Sequence, residues 1–452
     1  MSPTEWRASI GLAGIFGLRM LGLFIILPVF ALYAEHLPGG SDHTMVGIAL
    51  GAYGLTQAVL QIPFGWFSDR FGRKPTIYAG LLLFALGSFV AAYAQDIYWV
   101  VIGRVIQGAG AISAAVIALT ADLTREEHRT KAMAMIGMTI GVTFALSMVA
   151  GPALNHVIGV PGIFAMTGVL ALLAIFVVAA VIPNPRQSRF HSDAEAQPGQ
   201  FGAVLRNGEL LRLNYGIFAL HSALMALFVV VPFELRENGL DAGHHWQVYL
   251  PVMLTAFVLM VPPIIYGEKK ARLKQVFVGA VALLLAAQLL LGVLSDSLWG
   301  IGLALLAFFT AFNLLEASLP SLISKIAPAG AKGTAIGVYS SIQFVGTFVG
   351  AAVGGYLSQH YGPAAVFAFC AGVTLLWLVL AATMRPPAAV RTKMYAVPSM
   401  DEGRAAGLSQ RLAQLPGVRE ALVMAGEGVA YLKVDMAGFD EQHVLKLITG
   451  EA

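Results

Sequence analysis

The sequence predicts an all-α membrane protein of twelve transmembrane helices in two pseudo-symmetric six-helix bundles, followed by a small α/β domain in water. Three observations predict it. Of 452 residues, 58% are hydrophobic and 12% are charged, against about 25% charged in a soluble globular protein. Twelve apolar runs are each long enough to cross roughly 30 Å of hydrocarbon. The loops between them alternate sharply in Lys and Arg, the pattern that fixes orientation in a polytopic chain.

The first half takes its spans from 8–34, 44–68, 75–95, 97–121, 131–154 and 161–183. The second takes 211–233, 246–267, 274–295, 298–322, 333–358 and 362–384. The run at 8–34 is too long for a signal-peptide core and lacks a small-residue cleavage site after it, so it is expected to stay as span 1. Spans 3 and 4 are parted only by Gln95-Asp96, and spans 9 and 10 by Ser295-Asp296-Ser297.

One set of loops carries Arg70, Arg73 and Lys74; Arg125, Arg129 and Lys131; Arg186, Arg189, Arg206 and Arg212. It continues with Lys269, Lys270, Arg272 and Lys274, then Lys325 and Lys332, then the tail from Arg385. The opposite set carries Arg236. The positive-inside rule therefore puts both termini and the central loop in the cytoplasm, which demands an even number of spans. A net charge of +3, sorted by side, gives no reason to expect nucleic acid as a partner.

The chain also repeats. A basic, glycine-led loop at 267–274 stands in the second half where Gly65–Pro75 stands in the first, and Ala331-Lys332-Gly333-Thr334-Ala335 weakly echoes Arg129–Ala134. Repeats of this kind imply two six-span halves joined by a polar linker. The division is 1–183 for the N-terminal bundle, 184–210 for a polar cytoplasmic linker, 211–384 for the C-terminal bundle and 385–452 for the appended domain. That last stretch is too polar for the bilayer. Strand-like runs at 393–397, 418–424 and 429–435 and helix-like stretches at 401–415 and 439–449 make most of a ferredoxin-like βαββαβ unit.

Gly65-Trp66-Phe67-Ser68-Asp69-Arg70-Phe71-Gly72-Arg73-Lys74-Pro75 joins spans 2 and 3. It reads as a tight cationic turn on the cytoplasmic face. Topology alone would need only Lys or Arg; an acid and two glycines ask for more. The stretch resembles, position for position, the G-x-x-x-D-R-x-G-R-K-P pattern of the major facilitator superfamily, a likeness that covers residues 8–384. The resemblance implies secondary transport by rocking of the two bundles, and a conformational latch built on Gly65, Asp69, Arg70, Gly72 and Arg73. It makes the N-terminus of span 11, positive by its dipole, the dock for Asp69. Arg73 is expected to pair with Asp122, which ends span 4 at the same level.

Ionisable groups inside hydrocarbon are costly and are functional candidates by default. Arg19, Arg104, His221 and Glu316 lie in spans 1, 4, 7 and 10, the four helices that line the central cavity in the superfamily. Gly103-Arg104-Val105-Ile106-Gln107-Gly108 resembles the R-x-x-Q-G motif of span 4, implying a basic residue near a proton route. A desolvated carboxylate without a fixed partner favours taking up a proton, so Glu316 is the leading proton-coupling candidate, with His221, Arg104 and Arg19 beside it. Structural roles as buried core groups compete for all four. Tyr33, Gln57, Phe228, Asn313 and Gln343 are expected to line a mixed polar and apolar substrate cavity. Gly137, Gly141 and Gly151 in span 5, and Gly346, Gly350 and Gly354 in span 11, are expected to allow close helix packing.

Within the superfamily, Tyr53–Ala58, Asp122–Glu126, Phe312–Ala317 and the small cytoplasmic tail resemble the YajR group. Leu415–Ala421 is similar to heavy-metal-associated domains, but their Cys-x-x-Cys is missing. With one cysteine, Cys370, and scattered histidines, no metal, cofactor or enzymatic centre is expected. The function implied is proton-coupled export of small amphipathic molecules across a bacterial inner membrane. The partners implied are the substrate, protons and lipid, with the tail offering a surface for protein or self contact. A degenerate transporter acting as a membrane sensor through its tail is the rival class; a symporter or facilitator is the nearer one.

Overall fold

Among the described residues of the computed structural model, eleven helices are long and apolar enough to cross a membrane, and one of them contains two spans. The structure describes all residues except 186–194, 271, 329–330, 386–389, 399, 426–427, 436–437 and 450–452. Arg186, Arg189 and Ala271 of the loop patterns lie outside the described residues. Span 1 is α1 (Pro3–Phe24) and α2 (Leu27–Ala34); span 2 is α3 (His43–Phe71); span 3 is α4 (Arg73–Ala92). Span 4 is α5 (Ile97–Ala109) and α6 (Ser113–Asp122). Spans 5 and 6 run together as α7 (Glu126–Ala180), which breaks at Gly159, where φ is 68°. Pro161 follows. A residue with a side chain is strained at that φ, so the glycine turns the chain back in place of a loop and completes the twelve.

In the second half a short α8 (Phe201–Arg206) leads into α9 (Gly208–Glu237), α10 (Trp246–Lys269), α11 (Leu273–Leu294), α12 (Leu298–Ile326), α13 (Lys332–Tyr361) and α14 (Pro363–Ala382). These are spans 7 to 12. The loops away from the basic face stay short because side-chain caps start the next helix at once. Asp42 accepts from Thr44 N–H at 2.8 Å, Asp96 from Trp99 N–H at 2.9 Å and Ser297 from Gly300 N–H at 3.0 Å. Each cap satisfies a donor that the helix leaves free.

Helix α13 is the seam between the halves. Its Gly346, Gly350 and Gly354 lie on the backbone of α9 at Phe218, Ser222 and Ala226, two matching four-residue ladders. On its other side Gly47, Gly51 and Gly54 of α3 meet Ala351, Phe348 and Phe344. Span 5 differs from expectation. Gly137 and Gly141 have nothing within 4 Å, because that side of α7 is flanked by the exposed Met138 and Val142 and faces away from the bundle. Of the three span 5 glycines, Gly151 makes the close approach, against the Ile25 carbonyl at the α1–α2 break.

The tail contains β1 (Val390–Ala396), α15 (Glu402–Ala413), β2 (Val418–Met424), β3 (Val429–Asp435) and α16 (Glu441–Thr449). The strands are antiparallel in the order β1-β3-β2. Ala430, Leu432 and Val434 of β3 pack in one core with Leu408 and Leu412 of α15 and Val444 of α16. The alternate residues, Val429, Tyr431 and Lys433, are buried as well. Lys433 explains why: its ammonium donates to the Ala327 carbonyl just past α12, and β1 touches both α7 and α12. The tail thus packs against both bundles on the basic face.

Candidate functional site

On the basic face, Gly72 (φ 97°) ends α3 and starts α4 in one residue, which folds Arg73 back under Asp69. Arg73 is almost fully buried and holds three carboxylates. Its Nε donates to Asp122 Oδ2 at 3.2 Å, Nη1 to Asp69 and Nη2 to Glu195 Oε1 at 2.8 Å. Burial lifts the Glu195 carboxyl to about 8 against the pull of Arg73, and the neighbouring Asp69 pushes the same way. A Cβ added to Gly65 would stand 3.4 Å from that of Ala114 of α6.

The Arg73–Asp122 pair stands as expected. Two other latch residues do not take the roles given them. Asp69 turns to Arg73 rather than to α13, and its side chain is 42% exposed. Arg70 lies outside the cluster, stacked over the rings of Trp66 and Phe71 at 5.3 and 5.8 Å; on an exposed turn the aromatic faces are its nearest partners. Glu195 was missed. A lone acid in a polar linker carries no sequence signal until the linker is placed against Arg73.

In the buried middle, the four ionisable candidates fall into two groups. Arg19 donates to Ser113 and Gln57, and Gln57 bonds Gln61 at 3.5 Å. Arg104 donates to Gln107 at 2.7 Å and to the Gly22 and Leu50 carbonyls at 3.4 Å. Gln107 passes its own amide hydrogen to Ser88 at 2.9 Å. Both guanidinium groups face the ring of Tyr53, at 5.9 and 4.9 Å. Among the described residues neither has a carboxylate partner. Spans 1 and 4, which carry them, are the two that break mid-membrane, and irregular backbone at that depth is tolerated where protein or a cavity surrounds it.

The second group joins spans 7, 10 and 11. His221 Nε2 is 3.9 Å from Glu316 Oε2 and 2.8 Å from Gln343 Nε2, so the ring nitrogen accepts from the amide. Phe312 covers the imidazole at 5.8 Å between ring centres, and Tyr339 lies within electrostatic reach of Glu316. Asn313 is buried one turn from Glu316. Glu316 Oε2, expected to lack a fixed partner, makes no hydrogen bond among the described residues; the imidazole stands beside it at 3.9 Å, its Nε2 already accepting from Gln343. The remaining cavity candidates divide. Tyr33 is partly exposed beside Phe30, while Phe228 is fully buried between Tyr249 and Phe309 and packs rather than lines.

The face opposite the latch is also tied. Arg236 of α9 grips Glu35 with two hydrogen bonds, 2.6 and 3.2 Å. His43 Nδ1 and backbone N–H meet Ser358 Oγ and Gln359 Oε1 at 3.0 and 2.8 Å. In the second-half loop Arg272 bonds the Tyr266 hydroxyl at 2.9 Å. Among the described residues no group of three metal-binding side chains converges.

The Major Facilitator Superfamily family description matches residues 12–346 and 265–396. The chain is 46% identical over 435 residues to the inner membrane transport protein YajR of Escherichia coli, covering 96% of this chain and 95% of that one. It is 26% identical to the multidrug resistance protein MdtH of Aeromonas salmonicida, over 83% and 96% of the two chains. The crystal structure of the human organic anion transporter MFSD10 (TETRAN) shares the fold, with a TM-score of 0.62 at 21% identity, over 84% of this chain and all of that one. With two bundles seamed on α13, a family match running through both and a relative 46% identical over nearly the whole chain, the chain belongs to the major facilitator superfamily.

Proposed function

We propose that the protein is a proton-driven exporter of small amphipathic molecules in a bacterial inner membrane, with both termini in the cytoplasm. The observation that carries the proton coupling is the His221–Glu316 pair. A carboxylate and an imidazole 3.9 Å apart in the buried middle of three spans form a site whose charge changes when a proton arrives. Intramembrane acids and histidines of this kind mark proton relays. Proton uptake would loosen the His221–Glu316 attraction or create it, depending on which group is charged, and so bias one packing of α9, α12 and α13 over another.

Arg19 and Arg104 give the N-terminal half two buried cations without an acid among the described residues. Uncompensated buried charge is costly, so a substrate bearing a negative group is favoured over a cationic one. The human organic anion transporter MFSD10 is consistent with that choice. The test is a screen in proteoliposomes under an imposed pH gradient, with acid-bearing amphiphiles against cationic dyes. Gradient-dependent movement of the acids supports the reading. Binding with no flux for any compound supports a sensor instead.

A further inference from the structure

The linker between the bundles is seated where it passes the latch. Glu195 is buried, and its carboxylate accepts from Arg73 at 2.8 Å. Two residues on, Gln197 N–H donates to Thr334 Oγ1 at 2.8 Å, in the first turn of α13. The backbone of Glu195 lies directly on Gly333, where an added Cβ would overlap Glu195 N, C and O. One turn further, a Cβ on Gly337 would stand 3.7 Å from that of Ala196. Three linker residues therefore touch the N-terminal bundle through one side chain and the C-terminal bundle through their backbone.

This is the place on α13 expected for Asp69. Linker and Asp69 meet the same guanidinium, and three carboxylates around one cation repel each other more than one Arg can offset. The charged groups shown facing Glu195 are Arg73, Asp69 and, through Arg73, Asp122. The site thus holds Glu195 more readily with a proton than without one.

We propose that Glu195–Gln197 is a detachable clasp of the latch, with Glu195 as a positioning residue of the transport cycle. Seated, it completes the shell of Arg73 and ties the bundles on the basic face. Released, it frees them to rock. The role in rocking rests on the transporter reading; the seating does not.

The test uses the full chain in lipid nanodiscs with Cys370→Ala, Ala196→Cys and Gly337→Cys. A Cβ separation of 3.7 Å suits a disulfide, so oxidation by copper phenanthroline should join the two thiols rapidly. Adding Glu195→Ala removes a charge-assisted hydrogen bond and should slow cross-linking about tenfold. Glu195→Gln, which still accepts from Arg73, should stay within about twofold of the parent. Gly333→Val should block cross-linking by crowding alone. A parent that does not cross-link, or an E195A chain that cross-links at the parent rate, overturns the clasp. Arg236→Ala, which frees the opposite face to open, should speed cross-linking, because bundles that rock open there close on the basic face. An R236A chain that cross-links at the parent rate overturns the link to rocking while leaving the seated linker in place. No arm requires a known substrate, so failure of the clasp and failure of the transporter reading are distinguishable.

Discussion

Arg73 and Asp122, 49 residues apart, meet at 3.2 Å with both side chains almost wholly buried. The cation comes from the first turn of span 3 and the acid from the last turn of span 4, so the pair pins the basic end of the N-terminal bundle. Replacing Arg73 by Ala leaves the buried Asp122 and Glu195 carboxylates without it. Removing one partner of a buried pair costs about 3–5 kcal/mol, and the exposed Asp69 adds little. The variant should melt several degrees lower than wild type in a fixed-rate scan in detergent. Arg73→Lys should recover only part of the loss, since an ammonium cannot reach three acids in a fork.

The linker carries the clearest pH signature on the basic face. Glu195 titrates at about 8 in place, above its ordinary 4.5, so between those values the folded protein binds more protons than the unfolded one. Its contribution to stability is complete below 4.5 and is lost as pH rises through about 8. Wild type should therefore lose more thermal stability than Glu195→Gln when the buffer is moved from about pH 6 to about pH 9. Parallel curves would show that the carboxyl is not held in its protonated form.

The α9–α13 ladder offers a packing test with an internal control. A Cβ at Gly350 would strike the backbone of Ser222, and overpacking of this kind costs about 1–3 kcal/mol. Gly350→Ala should lower the melting temperature. Gly141→Ala, with nothing within 4 Å, should be neutral or slightly stabilising by about 0.5 kcal/mol, because alanine is the better helix former.

Much of this was legible in the sequence. Span limits came from the length of apolar runs, and the tail's strands at 418–424 and 429–435 from their alternation, because both signals are local. Arg73–Asp122 was readable since the positive-inside pattern put both at one membrane level. What was not legible depended on which way a face turned. Gly137 and Gly141 have the spacing of a packing motif but point away from the bundle, and Arg70 has the right charge but finds Trp66 and Phe71 first. Glu195 and the docking of Lys433 on Ala327 needed the chain placed in three dimensions, because each joins segments more than a hundred residues apart.

The Lys433 contact makes the tail testable. Deleting residues 386–452 removes a domain that packs on both bundles. Membrane insertion should persist, because the spans insert by their own hydrophobicity, while the melting temperature of the bundle falls. Equal melting of full-length and truncated protein would show that the tail does not brace the basic face.

The His221–Glu316 pair carries the central claim, and gradient-driven flux in proteoliposomes tests it most directly. Wild type and Glu316→Gln would be reconstituted side by side under the same imposed pH gradient, with a transported acid-bearing amphiphile and an internal pH dye as readouts. The account predicts that wild type exchanges protons for substrate and that Glu316→Gln, folded and equally reconstituted, loses gradient-driven flux, as expected for a proton relay without its acid. Wild-type flux in Glu316→Gln would contradict it.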